Sequence, residues 1–312
     1  MKTIRIGTRG SKLALWQANH VAACLEQAGL PTEIVIITTT GDLVLDRSLD
    51  KIGSKGVFTE ELEQSLRTGH IDIAVHSAKD VQSSIPDDLE LLAFMKRERV
   101  NDVIVSYADT LDLHRPDLVL GTSSTRRKAM LKRFYPNATT AEARGNLQTR
   151  LRKLEEGQYH GLVLAYAGVH RMQYDSLIRY ILPEVQFVPA AGQGSVAIEC
   201  ARSLEPELKF DLRRILDHTP THLCLLAERA FLRTMEGGCS IPSFALAKLH
   251  TDGLLQLHAG LISLDGQQYI EEKMMASDAQ QAEAMGTKLA ESVLSRGGRQ
   301  ILDDIRSHRT ES

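Results

Sequence analysis

The chain has 312 residues, which is enough for two or three domains with hydrophobic cores of their own. A formal net charge of −3 and an aromatic content of 5% argue against a protein that coats nucleic acid or stacks its bases. No apolar run reaches the length of a membrane span, and the N-terminus lacks a signal-peptide h-region. The four cysteines lack paired spacing. We therefore expect a protein of the reducing cytoplasm.

Short apolar strands alternate with amphipathic helices over the first hundred residues. Gly29 and Gly69 mark the points where two stretches of helical periodicity end. The patterns predict strands over residues 3–7, 33–38 and 71–77, and helices over residues 11–27 and 59–68.

The same alternation begins again at about residue 100. It predicts strands over residues 117–121, 138–144 and 161–166, with helices over residues 124–135 and 146–156 between them. Alternating strands and helices indicate an α/β architecture with mostly parallel sheets. Because the alternation occurs twice, we expect two similarly built domains.

The pattern changes after about residue 218, where Thr219-Pro220 suits the start of a helix that runs to about Met235. The remaining chain predicts strands near residues 243–250, 254–263 and 268–275, joined by the turn signals Thr251-Asp252-Gly253 and Asp265-Gly266, and closing helices near residues 278–295 and 297–307. We therefore expect a third domain, of α+β type.

Arginines recur where a predicted strand ends in a glycine- or hydroxyl-rich turn and a helix begins. The turns are IRIGTRGS with Arg9 and Ser11, LVLGTSSTRR with Thr122, Ser123, Ser124, Arg126 and Arg127, and AEARGNLQTR with Arg144 and Arg150. The helix dipole disfavours arginine in a first turn, whereas helix N–H groups, hydroxyls and guanidinium groups together bind anions well.

Three such turns predict a site for a ligand with several carboxylates or phosphates, because α/β proteins bind ligands at the carboxyl ends of their strands. The pattern does not separate the two kinds of anion. The alternative is that the arginines are solvated surface residues that point away from one another, and for a single turn we would favour it.

A lysine and a carboxylate, Lys79 and Asp80 of HSAKD, follow the strand over residues 71–77. An isolated Lys–Asp pair is usually an exposed ion pair of little energetic value. A carboxylate among many cationic groups can instead stabilise a transient cation or relay a proton.

Cys239 occupies an unusual place for a cysteine, after two glycines in MEGGCSIPSF, where the chain leaves a helix. Cys24, Cys200 and Cys224 lie in amphipathic or apolar runs and are expected to pack as small hydrophobic residues. Two further stretches, KIGSKG and GQGSVA, are weaker signals. GQGSVA matches G-x-G-x-x-A but lacks a clean entry from a strand into a turn.

Eight segments, in this order, resemble those of the porphobilinogen deaminases, also called hydroxymethylbilane synthases. They are GTRGSKLALWQ, TTTGD, KIGSKGVFTEELE, DIAVHSAKD, GTSSTRR, ARGNLQTRL, AGQGSVAIEC and MEGGCSIP. The resemblance covers essentially the whole chain. It implies two domains like the lobes of type II periplasmic binding proteins, with the active cleft between them, and a C-terminal α+β domain with a three-stranded antiparallel sheet. The implied domains are residues 1–98 with 195–216, residues 99–194, and residues 217–312.

The family's reaction joins four porphobilinogen molecules head to tail with loss of ammonia and releases hydroxymethylbilane for tetrapyrrole (haem, sirohaem) biosynthesis. The primer is a dipyrromethane cofactor bound through a thioether to a cysteine that Cys239 matches. Asp80 matches the catalytic aspartate, which the resemblance implies hydrogen-bonds pyrrole N–H groups and stabilises the cation formed on loss of ammonia. Each pyrrole carries an acetate and a propionate, in agreement with the arginine turns.

The resemblance also assigns the remaining site residues by motif position. The cofactor is expected to contact Lys79, Asp80, Thr122, Ser123, Ser124, Arg126, Arg127 and Arg150. The substrate and the growing chain are expected to contact Arg9, Ser11, Gln17, Arg144, Arg171 and Gln193, with Lys55 and Asp42 in an active-site loop. We expect a monomer whose partner is porphobilinogen, without a metal, nucleic acid or membrane.

Two residues depart from the family's usual H-S-M-K-D-[LV]-P, namely Ala78 and Gln82, and AGVHRM around Arg171 also differs from the commoner pattern. They bear on packing and rigidity near Asp80 and leave the reacting residues in place. The alternative to an enzyme is a catalytically inactive or non-enzymatic cytosolic polyanion-binding protein of the same architecture, which would not need the cysteine loop.

Overall fold

A computed structural model describes residues 2–40, 59–236 and 241–310 of the chain. Asp42, Lys55 and Cys239 lie outside the described residues. The chain divides into two compact units: Met1–Glu98 with Gly194–His222, and Arg99–Gln193 with Leu223–Ser312.

The regular elements follow the predicted order along the chain. The strands are β1 (Ile4–Thr8), β2 (Thr32–Ile36), β3 (Ile73–Ser77), β4 (Leu89–Phe94), β5 (Asp102–Val105), β6 (Val119–Gly121), β7 (Thr139–Ala141), β8 (Gly161–Ala165), β9 (Ile178–Ile181), β10 (Val196–Ala201), β11 (Ser243–Leu249), β12 (Leu255–Ile262) and β13 (Tyr269–Ala276). The helices are α1 (Lys12–Gln27), α2 (Glu60–Arg67), α3 (Thr125–Phe134), α4 (Leu147–Glu155), α5 (Tyr166–Arg171), α6 (Pro206–Leu216), α7 (Thr219–Thr234), α8 (Ala282–Val293) and α9 (Arg299–Thr310).

Helix α1 shows how local sequence determines one of these elements. The Ser11 side chain caps the helix by accepting a hydrogen bond from the Ala14 amide. Ala18, Val21 and Leu25 recur at helical spacing and are buried. The chain leaves the helix through Gly29, whose φ of 83° is a conformation that glycine adopts without steric cost.

Each unit contains a five-stranded sheet, and the two sheets share one strand order. The first runs β2-β1-β3-β10-β4 and the second runs β7-β6-β8-β5-β9. In both sheets, three parallel strands are followed by one strand that runs against them. The last strand again runs in the direction of the first three. The two similarly built α/β halves that the repeated pattern predicts are therefore present.

In each sheet four of the five strands run in one direction, as expected, but one strand runs against them, so half of the pairings are antiparallel. The strands that run against the others are β5 and β10. They are the first strands after the first two of the three points at which the chain passes from one unit to the other, at residues 98–99 and 193–194. They are not built by strand–helix–strand crossovers, so the rule that makes such strands parallel does not apply to them.

The C-terminal part of the chain forms the predicted three-stranded antiparallel sheet, in the order β11-β12-β13. Gly253 and Gly266 have φ angles of 84° and 79° in the two predicted turns. Phe244 and Ile262 of this sheet share one hydrophobic cluster with Leu120 of β6 and Met130 of α3, so the sheet packs on the core of the second unit. Within the described residues, no helix is long and apolar enough to cross a membrane.

The sheet of the first unit is held at one end by an ion pair with a pH-dependent strength. The Asp72 carboxylate, which is 4% exposed, accepts hydrogen bonds from the Arg5 guanidinium at 2.9 and 3.0 Å and from Lys2 Nζ at 2.8 Å. Burial raises the pKa of Asp72, but the hydrogen bonds from Arg5 and Lys2 outweigh it and lower the pKa to about 2.

Asp72→Asn is expected to lower the free energy of unfolding by about 2 kcal/mol at pH 7. Because the folded-state pKa is depressed, this stabilisation is complete above about pH 4, the unfolded value, and is lost as the pH falls through about 2. Urea unfolding of wild type and variant between pH 7 and pH 3 should show the difference shrinking with acidity. Lys2→Met, which removes the exposed partner, should cost less than about 1 kcal/mol, and a pH-independent difference for Asp72→Asn would contradict the assignment.

Candidate active site

In the first unit, two of the predicted site segments emerge at the same edge of the sheet. β1 and β3 are neighbouring parallel strands, so Arg9 and Ser11 follow one strand end and Lys79 and Asp80 follow the next. Gln17 links the two segments, because its buried amide donates to Ser77 Oγ over 2.9 Å. Five of the predicted site residues are thus grouped at one edge.

Asp80 ends a single 3₁₀ turn, Ala78 to Asp80, directly after β3. The Ala78 side chain is buried and its amide donates to the Ser195 carbonyl over 3.0 Å. The Asp80 side chain is exposed, and Lys79 is half-buried. The turn therefore holds its first residue in the core and presents a carboxylate at the edge of the sheet.

In the second unit, three of the predicted site segments also share one edge. β6 lies between β7 and β8 and is parallel to both, so the segments after residues 121, 141 and 165 leave the sheet on the same side. These segments carry Arg127, Arg144 and Arg171. Ser123 Oγ joins the first two by accepting a hydrogen bond from the Ala143 amide over 3.1 Å.

Hydroxyl groups shape the turn before α3. The Thr122 hydroxyl oxygen accepts from the Ser124 amide at 3.3 Å, and Ser124 caps α3 by accepting from the Arg127 amide at 3.4 Å. The first turns of α1, α3 and α4 contain no acidic residue. The positive ends of these three helix dipoles are therefore not neutralised by an acid of the same turn.

Arg126 and Arg127 are buried, at 4% and 7% exposure, and both bind the fully buried Asp102. Arg126 Nη2 donates to Asp102 Oδ2 over 2.7 Å, and Arg127 Nη2 and Nε donate to Oδ1 over 2.7 and 3.1 Å. Each guanidinium also donates to a backbone carbonyl, Arg126 to Val188 and Arg127 to Val163, over 2.8 and 2.9 Å. We call Asp102, Arg126 and Arg127 the buried arginine cluster.

The pKa values of Asp102 and Arg126 in the buried arginine cluster both lie below their usual values. Burial raises the pKa of Asp102, but the two guanidinium groups and Gln193 lower it well below its usual range. Burial lowers the pKa of Arg126, and Asp102 only partly offsets this. The cluster carries two cations and one anion, so one positive charge is buried without a counterpart in the cluster.

The other predicted residues of this unit lie in more exposed surroundings. Arg144 Nε donates to Glu142 Oε2 over 3.2 Å, and Lys128 binds the same carboxylate. Burial raises the pKa of Glu142, but hydrogen bonds from Lys128, Ser123 and Arg144 lower it below its usual value. Arg150 Nε donates to the Gly145 carbonyl over 2.8 Å, and Arg171 is the last residue of α5.

Gln193 lies beside the buried arginine cluster, since its amide nitrogen donates to Asp102 Oδ1 over 2.9 Å and to the Val100 carbonyl over 2.7 Å. The surrounding GQGSVA leads into strand β10 instead of a helix. It therefore does not form the strand–turn–helix that binds dinucleotides, as its sequence context indicated.

Comparisons with known proteins decide the family. Residues 4–208 match the family model described as "Porphobilinogen deaminase, dipyromethane cofactor binding domain", and residues 222–295 match "Porphobilinogen deaminase, C-terminal domain". This chain belongs to the porphobilinogen deaminase family. The porphobilinogen deaminase of Cytophaga hutchinsonii is 55% identical over 100% of this chain and 99% of its own, and that of Desulfosudis oleivorans is 50% identical over 98% and 99%.

Among solved structures, the periplasmic VFT2 domain of Bordetella pertussis BvgS is similar over 68% of this chain and 86% of that domain. The two are 18% identical, and the TM-score is 0.43.

The family confirms the expected enzyme class, a porphobilinogen deaminase with a dipyrromethane cofactor, and the comparisons give no support to the inactive alternative. The residues present fit such a cofactor. Arg126 Nε is buried and has no hydrogen-bond partner among the residues that the structure describes. Together with the uncompensated charge of the cluster, this donor suits a carboxylate group, of which each pyrrole of the cofactor carries two.

Asp102 is the functional residue that the sequence patterns did not reveal. It stands alone before the apolar run VIV, at the start of a strand that was not predicted, and it contacts residues 24 and 25 positions away. The only sequence signal was a carboxylate directly before a short apolar run. This signal does not indicate which residues the carboxylate contacts.

Proposed function

We propose that this chain condenses porphobilinogen molecules head to tail onto a dipyrromethane primer, with loss of ammonia, and releases hydroxymethylbilane. The observation that carries the proposal is the buried arginine cluster of the second unit, in which two guanidinium groups bind one carboxylate. Burying an uncompensated charge is costly, and a carboxylate ligand removes the imbalance. The cofactor supplies a pyrrole end on which the first condensation begins.

The second unit binds carboxylates in this proposal. Arg126, Arg127 and Arg150 hold those of the cofactor, with the hydroxyls of the turn before α3 as further donors. That turn contributes Thr122, Ser123 and Ser124. Arg144, Arg171 and Gln193 serve the substrate and the growing chain. Where an arginine offers two N–H donors to one carboxylate, it orients the pyrrole as well as binding it.

The first unit supplies the reacting group. Asp80 accepts hydrogen bonds from pyrrole N–H groups and stabilises the positive charge that develops as ammonia leaves. Lys79 binds a cofactor carboxylate, while Arg9, Ser11 and Gln17 serve the substrate. The exposed position of Asp80 at the end of its turn leaves its carboxylate accessible for this role.

Three further assignments belong to the proposal by their motif positions. Cys239 carries the cofactor through a thioether, and Lys55 and Asp42 act in a loop at the site. We also propose that residues 99–194 and 217–312 act as separate domains, which their separate sheets support. The protein is proposed to act as a cytoplasmic monomer without a nucleic-acid partner.

Intact-protein mass tests the proposal. The purified protein is expected to be heavier than its sequence by one dipyrromethane and to consume porphobilinogen with release of ammonia. Cys239→Ser should lose the added mass and the activity together, whereas the control Cys24→Ser should keep both. A well-folded, freshly isolated wild type with the bare sequence mass would refute the attachment, and a primed protein that leaves porphobilinogen unchanged would refute the reaction.

A further inference from the structure

A buried polar network lies next to the turn that carries Asp80. Gln82, two residues after Asp80, donates from its amide nitrogen to Thr59 Oγ1 over 3.2 Å and to Glu63 Oε1 over 3.3 Å. Thr59 and Glu63 are 3% and 5% exposed, and the Thr59 hydroxyl donates to Glu63 Oε1 over 2.8 Å. The amide of Gln82 thus contacts both members of a buried hydrogen-bonded pair at the start of α2.

The partners of Gln82 are themselves fixed. Glu63 belongs to α2, and its other oxygen accepts from Arg67 over 3.4 Å. Arg67 in turn donates to Asp88 over 2.6 Å, so α2 is also linked to the segment that leads into β4. A side chain that joins this network is held by groups whose positions the helix determines.

The turn of Asp80 is therefore held on both sides. Before it, the Ala78 amide donates to the Ser195 carbonyl over 3.0 Å. After it, the buried Val81 and the amide of Gln82 anchor the chain. Asp80 lies between these two anchors with an exposed side chain, so its backbone position depends on both of them.

We propose that Gln82 is a positioning residue for Asp80, and that its amide fixes the end of the turn by binding Thr59 and Glu63. The inference rests on the proposed role of Asp80. The amide makes no contact with a reacting group in this scheme. It restricts the backbone through which the catalytic carboxylate is presented, because small misplacements of a reacting group cost large factors in rate.

Gln82→Met tests the tether, because methionine keeps the length of the side chain and removes the amide. We expect kcat per primed enzyme to fall about tenfold while KM for porphobilinogen changes less than about twofold. Counting primed enzyme by intact mass separates this loss from a loss of folded protein. Gln64→Met, the same change on the exposed face of α2, is the matched control and should leave both constants as in wild type.

Two more variants separate positioning from simple packing. Val81 has φ −76° and ψ 137°, a conformation that suits a residue before proline. Gln82→Pro should therefore restrain the same backbone without the amide and recover most of the lost kcat. Thr59→Val removes one acceptor, and combining it with Gln82→Met should slow the enzyme no further than Gln82→Met alone.

Hydrogen exchange gives a readout that does not depend on turnover. The amides of residues 78–82 should exchange faster in Gln82→Met than in wild type or Gln64→Met. The inference is overturned if Gln82→Met retains both wild-type kcat and wild-type exchange, if it raises KM alone, or if Gln82→Pro restores slow exchange without recovering kcat. A wild type that does not consume porphobilinogen refutes the proposed function instead, and the exchange comparison still decides whether Gln82 fixes the turn.

Discussion

Replacing Asp80 with alanine is expected to lower kcat by a factor of about 10²–10⁴ while the fold and the covalent cofactor remain. Because the side chain is exposed at the end of its turn, its loss leaves no buried group without a partner. The cofactor carboxylates are assigned mainly to arginines of the second unit, so the variant should still be primed. Single-turnover consumption of porphobilinogen, normalised to the primed fraction from intact mass, measures the effect.

Asp87→Asn provides a control for the loss of an exposed carboxylate in the same unit, and it should retain wild-type kcat. Asp80→Glu keeps the charge but moves it by one methylene, and we expect it to be slowed less than Asp80→Ala. If Asp80→Ala consumed porphobilinogen at close to the wild-type rate, the catalytic role would have to belong to another residue.

Local patterns were sufficient for most of the fold. The spacing of Ala18, Val21 and Leu25 predicts one face of α1, and the structure buries that face. Ser11 and Ser124 precede helices in the sequence and cap them in the structure. These features depend on residues three or four positions apart, which is why the sequence reveals them.

Features that depend on distant parts of the chain were not predictable in the same way. β4, β5 and β9 were not predicted as strands, although the predicted strands β6 and β7 are shorter. The reversed direction of β5 and β10 follows from the path of the chain between the units, on which periodicity carries no information. Gln82 stood out only as a departure from a motif, because its partners lie 19 and 23 residues away.

The candidate site also has features that the sequence predicted and features that it did not. The arginine turns are visible because each lies between a strand and a helix, and parallel pairing brings their ends to one edge. The sequence predicted Arg126 and Arg127 as ligand-binding groups but not their burial. Asp102 is the buried counter-charge of both arginines, and it contacts them only through the tertiary fold.

Replacing Asp102 with asparagine is expected to destabilise the protein by about 3–5 kcal/mol. The change leaves two guanidinium groups buried without their shared anion, and the low pKa of Asp102 shows that the folded state strongly favours its charged form. Urea unfolding at pH 7 measures the loss. Asp109→Asn, an exposed change in the same unit, should fall within about 0.5 kcal/mol of wild type.

A second substitution distinguishes charge imbalance from lost packing. Adding Arg126→Met to Asp102→Asn removes one of the two buried cations, so the double variant should be more stable than Asp102→Asn alone. If packing were the cause, removing a second buried polar side chain would instead add to the loss.

An Asp102→Asn variant with a free energy of unfolding within about 1 kcal/mol of wild type would contradict the buried charge imbalance from which we infer a carboxylate ligand. Because a bound cofactor carboxylate would occupy the same positive cluster, unfolding of primed and unprimed protein should differ more in Asp102→Asn than in wild type.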